Sequence, residues 1–134
     1  MAGTANLKHK AWKVFSSYIR LKGSSGGSNV CITCGKRYPI SKLTAGHFIA
    51  GRNNSILFDE RNCHPQCTTC NILLYSNPTA YRRFMMKTYG EEVIKELQIK
   101  AKKEEKLLPS DFEKIYDTYK RKLEKLLKDL KFSK

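Results

Sequence analysis

The amino-acid sequence predicts an α+β fold, with a small ββα core between an N-terminal amphipathic helix and a C-terminal helical hairpin. Apolar residues recur every three or four positions before residue 23 and after residue 77, which is the period of helices. Short strand-like segments and turn residues fill the region between, and two C-x-x-C pairs bracket most of it. At 134 residues the chain is too short for two large domains.

The composition divides the chain into three parts. We expect a basic helix and a Gly/Ser linker over residues 1–29, the ββα core over 30–77 and a helical region over 78–134. In the first part the apolar stripe predicts a helix from Leu7 to Lys22. The following GSSGGS run, residues 23–28, has no side chain that could pack and predicts a flexible connector.

Short alternating segments predict the core. We expect one strand around Thr44 to Ile49 and a turn over residues 51–54. A second strand is predicted around Ile56 to Phe58, followed by a helix that begins near Cys67. Together these segments give the order ββα.

The remaining residues predict three helices. Pro78 suits a first helical turn, and the helix that it begins ends at Gly90. A second helix runs from Glu91 to about Leu107, and Pro109 separates it from a last helix that starts with a capping box. We interpret the apolar stripe of the last helix as the core of a hairpin, and self-association into a homodimer is the alternative.

The net charge points to a polyanionic partner. Lys and Arg number 26 against 12 Asp and Glu, which gives a formal charge of +14. A hydrophobic content of 40% excludes a disordered basic tail, and no apolar run approaches the roughly 20 residues of a membrane span. The N-terminus does not have the apolar core of a signal peptide, so we expect a cytoplasmic protein that binds DNA and no membrane.

The cysteines predict a metal site. Cys31/Cys34 and Cys67/Cys70 form two C-x-x-C pairs, and a chain of the reducing cytoplasm uses such pairs for metal more often than for disulfides. Two pairs complete a tetrahedral site of four cysteines, which we interpret as structural zinc, with a redox pair as the alternative. We place Cys63 outside this site.

The central motifs carry a family resemblance. The segments C-I-T-C-G, A-G-H-F and L-F-D-E-R-N-C-H-P-Q-C-T-T-C-N resemble the HNH, or ββα-metal, nucleases. They are most similar to the phage NinG (Rap) recombination protein family and more distantly to recombination endonuclease VII. The resemblance covers most of residues 7–130, and implies an HNH endodeoxyribonuclease that hydrolyses phosphodiesters in branched recombination intermediates, such as Holliday junctions or D-loops. If phage-encoded, the protein would act in the host cytoplasm.

The resemblance also implies roles for individual residues. His47 matches the general base, because a neutral imidazole can take a proton from the attacking water. Asn71 matches a ligand of a catalytic Mg²⁺ or Mn²⁺ ion. Asn62 matches the middle Asn of the motif, which braces the loop that carries the base. His64 matches a histidine of the family that serves as a second metal ligand or a phosphate donor.

One departure from the family pattern concerns the metal. Many HNH nucleases have Asp or His directly before the base, where this chain has Gly46. NinG relatives often have an acidic residue three positions before the base, where this chain has Thr44. The second ligand is therefore left to His64 or Asp59.

Basic residues near these motifs are interpreted as DNA phosphate contacts, against the alternative of plain solvation. They are Lys36, Arg37, Lys42, Arg52, Arg61, Arg82 and Arg83. Two further functions stay open: a catalytically silent, zinc-stabilised DNA-binding adaptor, and an HNH nuclease that nicks ordinary duplex DNA.

Overall fold

The computed structural model describes residues 3–50, 54–103 and 105–132. Its elements, in chain order, are α1 (Thr4–Leu21), β1 (Ser28–Val30), β2 (Arg37–Pro39), β3 (Leu43–His47), α2 (Asn54–Leu57), β4 (Cys63–Cys67), a π-helical turn (Thr69–Leu73), α3 (Pro78–Thr88), α4 (Glu91–Ala101) and α5 (Pro109–Phe132). Helices and small antiparallel sheets are combined, which confirms the α+β class.

Two antiparallel hairpins organise the middle of the chain. Strand β1 pairs with β2, with Val30 opposite Arg37, so the first C-x-x-C pair lies in the connection between them. The tight turn there needs a left-handed residue, which Gly35 supplies with a φ of +78°. Strand β3 pairs with β4, with Gly46 opposite His64.

The predicted second strand at Ile56–Phe58 is wrong. Residues 54–57 form the short helix α2, and the partner of β3 is β4 at 63–67. All five residues of β4 are buried, because α1 covers one face of this hairpin and α3 the other. A strand buried on both faces has no apolar–polar alternation, so the pattern did not mark it.

The predicted helix near Cys67 is also corrected. After Thr68 the chain makes only the five-residue π-helical turn, and α3 starts at Pro78. Residues 75–77 have positive φ angles of 49°, 73° and 50°, which a right-handed helix cannot contain. Pro78 disfavours the α conformation at the residue before it, so the helix is interrupted there.

The terminal helices pack differently from the expected C-terminal hairpin. Helix α5 lies along α1, where the rings of Phe15 and Tyr119 meet edge to face at 4.8 Å between centroids. Helices α3 and α4 instead share a core with Tyr81 and Leu97 among its buried residues. Helix α4 ends at Ala101, short of the expected Leu107. The apolar stripe of α5 is thus covered in part by α1.

The segment after α1 is tied to the rest of the molecule. The Asn29 side chain donates through Nδ2 to the carbonyl oxygens of Arg20 and Lys22, at 3.0 Å each. These bonds fix the end of α1 against β1. Among the described residues, no helix is long and apolar enough to cross a membrane.

Candidate functional site

The four paired cysteines come together at one end of the two hairpins. The sulfur atoms of Cys31, Cys34, Cys67 and Cys70 all lie within 4.8 Å of one another, and those of Cys34 and Cys67 are 4.0 Å apart. A tetrahedral zinc thiolate site with bonds of about 2.3 Å needs sulfurs about 3.8 Å apart, so this cluster can bind a metal ion such as zinc.

Hydrogen bonds to the cluster sulfurs favour the thiolate form, and burial opposes them: burial raises the pKa of Cys34, and it raises the pKa of Cys70 to about 11. Burial raises the pKa of the Cys31 thiol, but the hydroxyl of Thr33 and neighbouring backbone amides outweigh it and lower the pKa to about 6. The amide of Cys70 donates to Cys67 Sγ at 3.5 Å, and the Asn77 side chain donates to Cys70 Sγ at 3.7 Å. Such donors orient the ligand atoms of a metal site. Cys63 is buried against α1 and lies outside the cluster.

His47 ends strand β3 and lies on its α1 face. Its ring stacks on Trp12 of α1, with centroids 5.2 Å apart, and its Nε2 lies 3.1 Å from the carbonyl oxygen of Leu57. A carbonyl oxygen only accepts, so Nε2 carries the proton of the neutral ring and Nδ1 keeps the lone pair. Burial lowers the pKa of His47, against the opposing effect of the Leu57 carbonyl. The ring is therefore a neutral, oriented base at neutral pH.

A surface groove adjoins two residues that contact the His47 ring, although His47 itself is not part of its lining. It has a volume of about 520 Å³, and its lining includes Lys8, His9, Trp12 and Leu57. Trp12 and Leu57 are also the two residues that hold the His47 ring. A ligand in this groove would contact Lys8 and the two residues that hold the His47 ring.

Asn62 fastens the segment that follows His47. Its Oδ1 accepts from the backbone amide of Ile49 at 2.8 Å, and its Nδ2 donates to the carbonyl oxygens of Ile49 and Ile56 at 3.1 and 3.4 Å. The side chain is fully buried. Asn62 thus links the residues on both sides of the segment that contains residues 51–53. A buried side chain with these contacts can brace a loop.

His64 lies on the opposite, α3 face of the β3–β4 hairpin. Its Nδ1 is 2.9 Å from the Tyr81 hydroxyl and its Nε2 is 2.8 Å from the Tyr89 hydroxyl. Burial lowers the pKa of His64 to about 4, so the ring is neutral. Both ring nitrogens are engaged by tyrosines, so in this arrangement His64 offers no atom to a metal or a phosphate.

Asp59 is enclosed by cations. Its carboxylate accepts from Arg61 Nη2 at 3.0 Å and from Lys100 Nζ at 2.9 Å, and its side chain is 8% exposed. Burial raises the pKa of Asp59, but the bonds from Arg61 and Lys100 outweigh it and lower the pKa to about 2. Arg61 also binds Glu96 at 2.8 Å. Asp59 and Arg61 therefore serve an internal ion-pair network rather than a free metal or DNA surface.

Asn71 follows the last cysteine and lies in the π-helical turn. Its Nδ2 donates to the Thr44 hydroxyl at 2.9 Å, and that hydroxyl donates to the carbonyl oxygen of Gln66 at 2.8 Å. Within the part of the chain that the structure describes, these contacts use Nδ2 and not Oδ1, so Oδ1 is the atom of the Asn71 amide that could bind a metal ion. Thr44 stands where the family pattern often has an acidic residue. It orients the Asn71 side chain but supplies no charged ligand.

His47 and Asn71 are held by opposite faces of the hairpin. Alternate residues of a strand face opposite sides, and His47 contacts α1 whereas Thr44, the partner of Asn71, points away from it. Gly46 lies on the same face of the hairpin as Thr44. This position needs glycine, because a Cβ there would overlap the Gln66 side chain. The structure therefore does not bring His47, Asn71, His64 and Asp59 into one cluster.

The remaining predicted basic residues differ in accessibility. Lys36, Arg37, Lys42, Arg82 and Arg83 are exposed. Arg37 uses one of its donor groups on Ser28, whose carbonyl oxygen is 3.2 Å away. Arg52 lies outside the described residues, as does most of the turn predicted over residues 51–54.

Several site residues escaped the sequence analysis. Tyr81 and Tyr89 fall within a predicted helix and Trp12 within another, and none of them is predicted as a site residue, yet they contact the two histidines directly. These contacts join residues that are 17 to 35 positions apart in the sequence. The one local signal is the single tryptophan, placed in a helix rich in basic residues.

The fold and the cluster define a small, strongly cationic α+β protein with a cluster of four cysteines that can bind a metal ion. The family model described as the bacteriophage lambda NinG protein matches residues 3–129, so the chain belongs to the NinG family. It is 33% identical over 69 residues to the "Protein ninG" of Escherichia phage 933W and of Enterobacteria phage VT2-Sa, and 32% identical to that of Escherichia phage lambda.

These alignments cover 51% of the chain and 33–34% of each relative. The chain thus spans about a third of the length of the curated relatives that it matches. No solved structure matches it significantly.

Proposed function

We propose that the chain is a divalent-metal-dependent DNA endonuclease of the HNH type, with His47 as its general base. The observation that carries the proposal is the state of His47: neutral, oriented through Nε2 and held by Trp12 and Leu57, two residues that line an open groove. The β3–β4 hairpin, the turn after it and the cysteine cluster would then be a variant of the ββα-metal core, with zinc as the structural ion.

The cluster would serve catalysis by fixing the strand that carries the base. Leu43, at the start of β3, packs with Cys31, Cys67 and Cys70 in one buried cluster. At the other end of β3, His47 pairs with Cys63. From Nδ1, His47 would take a proton from water as the water attacks a phosphodiester phosphorus, leaving a 5′ phosphate and a 3′ hydroxyl.

Asn71 is the residue that best fits a catalytic cation. Its amide oxygen is a hard ligand, and the Thr44 bond holds the amide in one orientation. A Mg²⁺ or Mn²⁺ ion bound there would supply charge stabilisation at a phosphate oxygen. Because Asn71 lies on the face of the hairpin opposite His47, this ion would serve the step at His47 only if the bound DNA reaches both faces. One protein oxygen suits an ion that keeps most of its waters and is completed by DNA phosphate.

DNA is the polyanion that this chain is proposed to bind in the host cytoplasm. The first 58 residues contain no acidic residue, and exposed Lys and Arg side chains border both hairpins. Such contacts position a duplex without reading its sequence. The choice of branched intermediates over plain duplex follows from the resemblance to phage recombination nucleases.

The test is cleavage of a labelled four-way junction and of its linear arms, with and without added Mg²⁺ or Mn²⁺. His47→Ala should lower the rate about 10²- to 10⁴-fold, the usual loss for a general base, while DNA affinity and bound zinc stay unchanged. His9→Ala, which removes an exposed histidine from the same groove, is the matched control and should cleave normally. Equal cutting by His47→Ala and wild type would overturn the assignment.

A second candidate is a catalytically silent DNA-binding adaptor. The observation that favours it is the engagement of both candidate second ligands, His64 by two tyrosines and Asp59 by two cations. Tight junction binding with no cutting under any metal would select this function. Cutting of the linear arms as fast as the junction would instead select a nuclease of ordinary duplex DNA.

A further inference from the structure

Four consecutive apolar residues are exposed directly after Asn71. Their exposed fractions are 59% for Ile72, 69% for Leu73, 48% for Leu74 and 86% for Tyr75. We name Ile72–Tyr75 the apolar tip. Single exposed apolar side chains are ordinary, but a contiguous group indicates a binding surface.

The backbone of this segment is held in a strained conformation. Tyr75, Ser76 and Asn77 have positive φ angles, although none of them is glycine. Such residues persist only where the surroundings hold them, and they concentrate at functional sites. The Gln66 side chain donates to the Ser76 carbonyl oxygen at 3.0 Å, and Asn77 donates to Cys70 Sγ. The cysteine cluster and strand β4 therefore fix the backbone directly after the tip, while the side chains of the tip face solvent.

The chain segment that contains the tip is positively charged. No Asp or Glu occurs between Arg61 and Gly90 in the sequence. The next helix, α3, exposes Arg82, Arg83 and Lys87. A surface with an aromatic ring, aliphatic side chains and cations but no acidic group complements nucleic acid, which offers base faces and phosphates together. The tip is the end of a five-residue π-helical turn and the two residues after it, and not the longer amphipathic helix that typically lies on lipid.

We propose that the apolar tip inserts into DNA where base stacking is interrupted, as at a branch point. Tyr75 stacks on an exposed base, Leu73 and Leu74 fill the space beside it, and the exposed arginines of α3 bind the flanking phosphates. This inference rests on the proposed DNA-directed function and adds to it the group that recognises the branch. It assigns structure selectivity to a surface separate from His47.

The experiment measures binding without added divalent cation, so that cleavage does not interfere. The probes are a four-way junction and a linear duplex of the same sequence, each with 2-aminopurine directly next to the crossover position. The fluorescence of this base rises when the neighbouring crossover base leaves the stack to meet Tyr75. The variants are Tyr75→Ala and the conservative Tyr75→Phe, and Ile99→Ala removes another exposed apolar residue, on α4, as the matched control.

We expect wild type, Tyr75→Phe and Ile99→Ala to bind the junction more tightly than the duplex and to raise its fluorescence. Loss of one stacking ring should lower the junction affinity of Tyr75→Ala about tenfold and remove the fluorescence rise, with duplex affinity unchanged. Bound zinc, measured for each variant, shows that the adjacent cluster is intact. A junction affinity and fluorescence of Tyr75→Ala equal to those of wild type would overturn the inference.

If the apolar tip binds a second copy of the chain or a lipid surface instead of DNA, Tyr75→Ala gives different results. If the tip is a contact between two copies, Tyr75→Ala converts a dimer to a monomer in sedimentation and leaves junction fluorescence unchanged, which overturns the inference. Release of the protein from phosphatidylserine vesicles by Tyr75→Ala, with DNA binding intact, overturns it as well. If the protein unstacks the junction without cleaving it, the inference is supported and the nuclease proposal is rejected. If the protein cleaves the junction and neither cleavage nor binding depends on Tyr75, the nuclease proposal is supported and the inference is rejected.

Discussion

The Nδ1 atom of His64 lies 2.9 Å from the hydroxyl oxygen of Tyr81, and the direction of this hydrogen bond is determined by a third group. The Tyr81 hydroxyl donates its only proton to the carbonyl oxygen of Gly46 at 2.7 Å. His64 must therefore donate from Nδ1, and its Nε2 accepts from the Tyr89 hydroxyl at 2.8 Å. A chain of three hydrogen bonds thus runs from Tyr89 to the residue before His47.

This network predicts a loss of stability in acid. Burial lowers the pKa of His64 from 6.5 to about 4, so the unfolded chain binds a proton more readily than the folded one. Stability should fall as the pH drops from about 6.5 to about 4, by at most about 3 kcal/mol for this group. Urea unfolding at each pH measures the loss.

The matched variant is His64→Gln, whose amide offers one donor and one acceptor but does not titrate. Because protonation of the cysteine cluster affects both proteins alike, the quantity to compare is the difference between them at each pH. His64→Gln should lose less stability than wild type between pH 6.5 and 4. Parallel curves would mean that His64 is not protonated on unfolding.

Removing the hydroxyl of Tyr81 should destabilise the protein more than removing that of Tyr89. Tyr81→Phe leaves the Gly46 carbonyl and His64 Nδ1 without this partner on a fully buried ring, at a cost of about 1–3 kcal/mol. Tyr89 is only partly buried, so water can replace its hydroxyl in Tyr89→Phe. Urea unfolding of both variants tests the order, and the opposite order would contradict the network.

The cysteine cluster should bind one zinc ion, on which folding depends. Metal analysis of Cys34→Ser should show loss of the ion, because this position supplies one of the four sulfurs. Cys63→Ala is the control: its thiol is buried outside the cluster, so the variant should keep zinc while losing some packing against α1. Retained zinc in Cys34→Ser, or lost zinc in Cys63→Ala, would assign the ligands differently. A strong chelator should unfold the wild-type protein.

Local spacing predicted the metal cluster, whereas tertiary contacts decided the rest of the site. Two residues between cysteines suffice to aim a pair at one ion, so Cys31 and Cys67 with their partners were predicted correctly as a cluster. Strand β4 was missed because burial on both faces removes the alternation. The surroundings of His64 depend on tyrosines 17 and 25 positions away, which no local pattern connects to it.

The stacking of His47 on Trp12 makes the protonation of His47 measurable. Trp12 is the only tryptophan of the chain, and a protonated imidazole in contact with indole quenches its fluorescence. Burial lowers the pKa of His47, so quenching should begin only well below neutral pH, with a midpoint under 6.5. His47→Gln should abolish the transition, whereas His9→Gln, an exposed position on the same helix as Trp12, should retain it. If His47 is the base, the pH dependence of cleavage should share this midpoint, with the rate rising as the imidazole loses its proton. A midpoint at or above 6.5, or a transition that persists in His47→Gln, would contradict the neutral, oriented base on which the proposed mechanism depends.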